Sequence, residues 1–240
     1  ASDVYKRQSQ RYVRMISRAS ARAFILEPGL GTDGKLKTAR KGVGRFRVLI
    51  HGEAAHSGLD PTSGASAIQE LANVVHQLHG LTDLERGVTV NVGVVQGGTR
   101  VNVKAAEAEA EVDVRVASMD DGEAVTRAIR GLTPRTPGTS LEVSGGIQAP
   151  PLERTPRNRR LWEAALAAGN RLGIELEEGT SGGASDGNTT SQYAATLDGL
   201  GSLGDGAHDL HEHVVAKALP SRAALLAELL LSPVSAGDEC

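Results

Sequence analysis

The chain has 240 residues, enough for one large domain or two small ones with a real core. Its formal net charge is −3 with acids and bases interspersed, and its few aromatics (2%) interleave with no basic stripe, so no nucleic-acid partner is expected. Cys240 is the single cysteine, which excludes an internal disulfide and makes a reducing, cytoplasmic setting the expectation.

The opening ASDVYKRQ has no pattern that continues into residues 9–21 and is expected to stand outside the fold. Residues 9–21 predict a helix. AFILE (23–27) predicts a buried strand stopped by Glu27 and Pro28-Gly29. VGRFRVLIH (43–51) alternates as a strand does. A helix is predicted over 65–81, with Ser63 as the candidate N-cap and Ala67, Leu71, Val74, Val75 and Leu78 at helical spacing. VTVNVGVVQGG (88–98) predicts a strand. AEAEAEVDVRV (106–116) alternates small or apolar against charged residues and predicts a strand with one wet face. A helix over 120–132 and a strand over 140–146 complete a β-α-β-β-α-β order. That order is the ferredoxin-like split: a four-stranded antiparallel sheet with two helices on one face.

QAPPLERTPRN then reads as a linker. Residues 159–173 predict a helix stopped by Gly173. IELEEG (174–179) predicts a short strand, and GTSGGASDGNTTS a Gly/Ser-rich loop in which Asp186 is a candidate N-cap. A short strand near 194–200, a polar loop and a helix over 218–233 come next. These flanking elements alternate β and α, the pattern of a parallel sheet with helices. The apolar run ALLAELLL is broken by Glu228 and is far shorter than the roughly 20 residues of a membrane span, so no membrane partner is expected.

Residues 199–214, GLGSLGDGAHDLHEHV, set His208, His211 and His213 among Asp205, Asp209 and Glu212 in a Gly-rich loop. By themselves they fit a metal site or a solvated polar turn. Ser181 and Ser185 lack the G-x-S-x-G elbow of a serine hydrolase. GGT (97–99) opens no helix, which makes it a turn with positive φ rather than a phosphate cradle. His51, His76 and His79 read as structural.

FILEPG (24–29), KGVGRFRVLIHGEAAHSG (41–58), GGTRVN (97–102), VDVR (112–115), SGGASDGN (181–188) and the 199–214 loop occur in one order. As an ordered set they resemble the M20 family of zinc-dependent metallopeptidases and amidohydrolases, its glutamate carboxypeptidase branch in particular. The resemblance implies an α/β fold: a zinc-peptidase α/β domain in two parts, 9–40 and 148–240, around an inserted ferredoxin-like dimerisation domain, 41–147. It implies cleavage of a peptide or amide bond beside a free carboxylate, in a small peptide or N-acyl amino acid, by a homodimer that uses two Zn²⁺ ions. It makes Glu27 a ligand of one zinc and His208 a ligand of the other. It makes His56 the catalytic donor to the oxyanion of the partner's tetrahedral intermediate, with Asn102 and Arg115 gripping the carboxylate or oxyanion. Gly182 and Gly183 would let backbone N–H groups approach the substrate. Ala105 stands where the family usually has a proline, which predicts a looser loop around Asn102.

The family's first zinc histidine, bridging aspartate and general base belong to an earlier segment. No H-x-D and no Glu-Glu pair precede Glu27. The expectation is a C-terminal portion of a longer enzyme, inactive by itself. The alternative is a non-catalytic dimerisation or binding module that keeps the scaffold without the metals.

Overall fold

The computed structural model describes residues 2–206 and 209–233, with side chains from Ser9 onward. In chain order the elements are α1 (Ser2–Arg18), β1 (Arg22–Phe24), β2 (Leu36–Arg40), β3 (Gly42–His51), α2 (Ala67–His79), β4 (Thr89–Gly97) and β5 (Glu107–Val116). Next come α3 (Met119–Arg130), β6 (Ser140–Ala149), α4 (Pro156–Leu172), β7 (Glu178–Ser181), α5 (Asp186–Thr190), β8 (Ala195–Leu197), β9 (Gly204–Asp205), β10 (His213–Val214) and α6 (Leu219–Leu231). Two compact units emerge: Gly42–Ala149, and the residues through Lys41 together with those from Pro150 onward.

In the Gly42–Ala149 unit the sheet order is β4-β5-β3-β6, antiparallel throughout. The alternation read in 106–116 becomes a strict burial pattern. Ala108, Ala110, Val112, Val114 and Val116 face the core while the charged residues between them are more exposed. They pack with Phe46, Val48 and Ile50 of β3, with Leu71, Val74 and Leu78 of α2, and with Val125 and Ile129 of α3. The expected N-cap moves from Ser63 to Ser66, whose side chain accepts from the Gln69 amide. Ser63 is held elsewhere, because its amide donates to the Asp60 carboxylate in a local turn.

The second unit is built from short parallel pairs, β1 with β8 and β2 with β7, plus the antiparallel β9–β10 hairpin. Leu36, Leu161, Trp162, Ala165, Ala195, Leu197, Leu225 and Leu229 form its core. Three expectations are corrected. Helix α1 runs through the opening residues from Ser2, since no proline or glycine interrupts 2–18. The strand expected at 174–179 lies at Glu178–Ser181. Gly173 at φ 66 caps α4, and Ile174 turns back to donate to the Gly169 carbonyl, so Ile174 and Leu176 serve the core instead. Ser185, not Asp186, caps α5; it accepts from Gly187 N–H while Asn188 returns to the Ser185 amide. Strand β2, with Lys37 and Arg40 buried, has no counterpart among the sequence expectations.

Glu70 of α2 is a fully buried carboxylate that accepts from the amides of Arg135 (3.1 Å) and Thr136 (2.6 Å) and from Asn73 Nδ2 (3.2 Å). Burial alone would raise its carboxyl, but these hydrogen bonds outweigh that and hold it below the ordinary range. A carboxyl depressed in the fold contributes stability above its unfolded value of about 4.3, and the contribution is lost as pH falls through the folded value. Glu70→Gln should therefore lower the urea midpoint followed by far-UV circular dichroism at neutral pH, with a gap to wild type that narrows as pH falls below about 4. A gap constant with pH would contradict this account.

Candidate functional site

Strands β1 and β8 run side by side and leave the sheet at the same end. Beyond them the two segments stay bonded. Ile25 N–H reaches Leu197 O (2.9 Å), Leu200 N–H reaches Ile25 O (3.1 Å), Gly201 N–H reaches Glu27 O (2.9 Å) and Gly29 N–H reaches Ser202 O (3.1 Å). This approach depends on Gly201: a Cβ there would stand 2.2 Å from Leu26 O and 2.8 Å from Glu27 O. Buried Arg222 of α6 fastens the same loop, donating through Nε to Gly201 O (3.0 Å) and through a second nitrogen to Gly199 O.

Glu27 thus sits at the carboxyl ends of parallel strands, where α/β sheets bind ligands. Its side chain is exposed. The cation that shares its field is Lys37 of β2, which is buried. Burial pushes that ammonium below its ordinary value and Arg40 adds to the effect, while Asp198 and Glu27 oppose it. From Ser202 the chain enters the β9–β10 hairpin, where His213 pairs with Asp205 and Val214 with Gly204. His208 lies outside the described residues. His211 pairs with Asp209 at 3.1 Å, and His213 Nδ1 lies 3.2 Å from His211 O. Among the described residues no three His, Cys, Asp or Glu side chains gather to hold a metal. Glu27 offers a carboxylate, a donor that zinc accepts.

Gly182 and Gly183 are exposed, and a Cβ on either would meet nothing within 4 Å. Neither has positive φ. Neither backbone conformation nor packing requires glycine at these two positions. Behind them lies a buried ion pair. Arg40 donates to both oxygens of Asp198, Nε to Oδ2 at 2.7 Å and Nη2 to Oδ1 at 3.0 Å. Arg40, Asp198, Lys37 and Arg222 escaped the sequence reading because each is an ordinary surface residue type in an unremarkable position.

In the Gly42–Ala149 unit, His56 comes after β3. Its Nδ1 accepts from the amides of Gly58 (3.2 Å) and Leu59 (3.0 Å). In a neutral ring those two donors place the proton on Nε2. Asn102 Nδ2 stands 3.3 Å from Nε2, and Ser57 N–H reaches Asn102 O at 3.0 Å. Ala105 does not loosen this loop: it is buried, and its carbonyl accepts from Ala67 N–H at 2.8 Å. Lys104 Nζ ties the loop to the carbonyls of Pro61 (3.0 Å) and Ser63 (2.5 Å). Gly98, at φ 74, supplies the expected turn.

Arg115 is elsewhere. The His56–Asn102 pair lies past the end of β5 that begins at Glu107, where His56 bridges Val103. Arg115 is eight residues along, about 26 Å at strand rise. Asn102 also lies in the β4–β5 connection, not on a strand neighbouring Arg115. One chain therefore does not bring the two onto one carboxylate. The Arg115 fork binds Asp113 instead, at 2.8 and 3.0 Å.

Residues 38–136 match the M20 peptidase dimerisation domain. The chain is 29% identical over 217 residues to carboxypeptidase G2 of Pseudomonas sp. (strain RS-16), covering 85% of this chain and 51% of that protein. It is 44% identical over 94 residues to a peptidase M20 domain-containing protein of Schizosaccharomyces pombe, covering 37% of this chain and 23% of that one. Among solved structures, aminopeptidase PepT of Bacillus cereus superposes with a TM-score of 0.75 at 20% identity, over 92% of this chain and 61% of that one. A dinuclear metal-binding peptidase from the M20 family of Bacillus subtilis gives 0.62 at 20% identity, over 87% and 55%. The chain spans about half the length of carboxypeptidase G2 and less of the other curated relative.

The two glycine roles separate by substitution. Gly201→Ala should cost about 1–3 kcal/mol, since backbone oxygens must shift. Gly183→Ala should stay within about 0.5 kcal/mol. Trp162, the single tryptophan, sits in the core of this unit and reports both by fluorescence during urea unfolding. Equal losses would show that the Gly201 contact does not hold the loop.

Proposed function

We infer that this chain, homologous to M20 peptidases and carrying their dimerisation domain, serves a metal-dependent hydrolase that cleaves a peptide or amide bond beside a free carboxylate. The observation that carries the reading is the bonding of 25–29 to 197–202, which sets Glu27 beside the segment that leads to His208. In this reading Glu27 and His208 are ligands of two different Zn²⁺ ions. When bound, such ions polarise the scissile carbonyl and acidify a water.

The remaining roles belong to the chain itself. His56, protonated at Nε2, donates to the oxyanion, and Asn102, whose Nδ2 stands 3.3 Å from that nitrogen, donates beside it; a donor placed where charge develops contributes a few kcal/mol, about 3 in well-studied cases. Gly182 and Gly183 admit a substrate end to their backbone. Because Arg115 stands far along the sheet from His56, the two serve different active sites of a homodimer, Arg115 binding a carboxylate in competition with Asp113. Edge strand β4 exposes Val94 and Val95, apolar groups that a second copy would cover. Among the described residues no helix is long and apolar enough to cross a membrane.

On these assignments the chain supplies two ligands to two ions, whereas zinc sites use three or four protein ligands each. The 240-residue chain should bind zinc below one equivalent and hydrolyse no N-acyl amino acid, as read by metal analysis after dialysis and by amine release. Tight stoichiometric zinc with turnover would overturn this assignment. In the full-length protein, Glu27→Ala and His208→Ala should each abolish turnover. Wild-type turnover in either would remove its ligand role and favour the non-catalytic dimerisation module.

A further inference from the structure

We propose that the buried pair Arg40–Asp198, with Ser185 and Asn188, is the positioning machinery of the Gly182–Gly183 loop, an inference that rests on the reading of that loop as a substrate contact. Arg40 is 4% exposed and Asp198 fully buried. The Asp198 carboxylate uses both oxygens on Arg40 and takes a third hydrogen bond from Ser185 Oγ at 2.5 Å. The guanidinium spends its remaining nitrogen on the loop, where Nη1 donates to Gly183 O (2.9 Å) and Ser181 Oγ (3.3 Å). Asn188 secures the far end. Its Oδ1 accepts from Ser185 N–H (2.8 Å) while its Nδ2 donates to the carbonyls of Lys41 (3.1 Å) and Pro150 (2.8 Å). Ser181, Gly183 and Ser185 are thereby each drawn inward, and the open space lies outside Gly182 and Gly183.

Two observations separate positioning from stabilisation alone. An apolar pair of similar volume stabilises a core as well as a buried ion pair does, and often better. What it lacks is the directed third arm that Arg40 extends to the loop. Gly187 also makes room for the carboxylate: a Cβ there would stand 2.6 Å from Asp198 Oδ2. Loop backbone held this way, with the Gly183 amide itself on Ser181 Oγ (3.4 Å), keeps one conformation without help from the ligand, which lowers the ordering cost of binding.

The test compares wild type with Ser185→Ala, Ser185→Thr and Arg40→Lys in the full-length protein by hydrogen–deuterium exchange, with N-acetyl-L-alanine as the probe. Ser185→Ala and Arg40→Lys should speed exchange in the peptide covering 181–185 at least tenfold and leave the β1 and β8 peptides unchanged. Both should weaken the probe at least fivefold, and Ser185→Thr should restore both values. Unchanged loop exchange, or equal acceleration in β1 and β8, would overturn the proposal. Should Arg40→Lys fail to fold, Ser185→Ala decides alone. Should the wild-type loop gain no protection from the probe, the substrate reading of Gly182–Gly183 fails, while the exchange comparison still decides the positioning.

Discussion

Four backbone hydrogen bonds between residues 25–29 and 197–202 make the candidate site what it is. They extend the parallel pairing of β1 and β8 past the sheet, so two segments far apart in sequence leave it together. The closeness is steric as much as electrostatic, because Gly201 alone lets the Leu26 and Glu27 carbonyls in. Buried Arg222 then satisfies two carbonyls of the same loop, those of Gly199 and Gly201. An acidic side chain and a histidine-rich hairpin are thus directed by one piece of backbone geometry.

The Gly42–Ala149 unit obeys a different constraint. Its sheet is long in the strand direction and keeps His56 with Asn102 at one end and Arg115 toward the other. Side-chain reach cannot bridge such a span, since an extended strand advances about 3.3 Å per residue. Active sites that share residues across the subunits of the proposed homodimer would resolve the separation, and residues 38–136 match a peptidase dimerisation domain.

The inserted sheet was legible because its physics is local. Alternation in 106–116, helical spacing in 67–78 and Gly punctuation each report burial within a few residues. The exposed candidates could be named from the sequence because they carry motif character: Glu27 and the 182–183 glycines in one unit, His56 and Asn102 in the other. The buried residues could not. LKTAR shows two cations in five residues and reads as a wet segment, yet Arg40 is buried because Asp198, 158 residues away, neutralises it. Arg222 reads as helix surface, but its partners are loop carbonyls, and carbonyls leave no trace in sequence. Glu70 is hidden for the same reason, being held by the amides of residues 135 and 136. Non-local pairing of a charge with backbone has no period to detect.

The claim on which all of this turns is that Glu27 and the loop bearing His208 face one crevice. With Cys240 replaced by serine, Glu27→Cys and His208→Cys should be joined within one chain by a short bifunctional thiol reagent, in high yield at protein concentrations too low for links between chains. Mass spectrometry of the digest should find the two positions in a single bridged peptide pair. Quantitative single-site modification of both thiols with no bridge would place them apart and contradict the account.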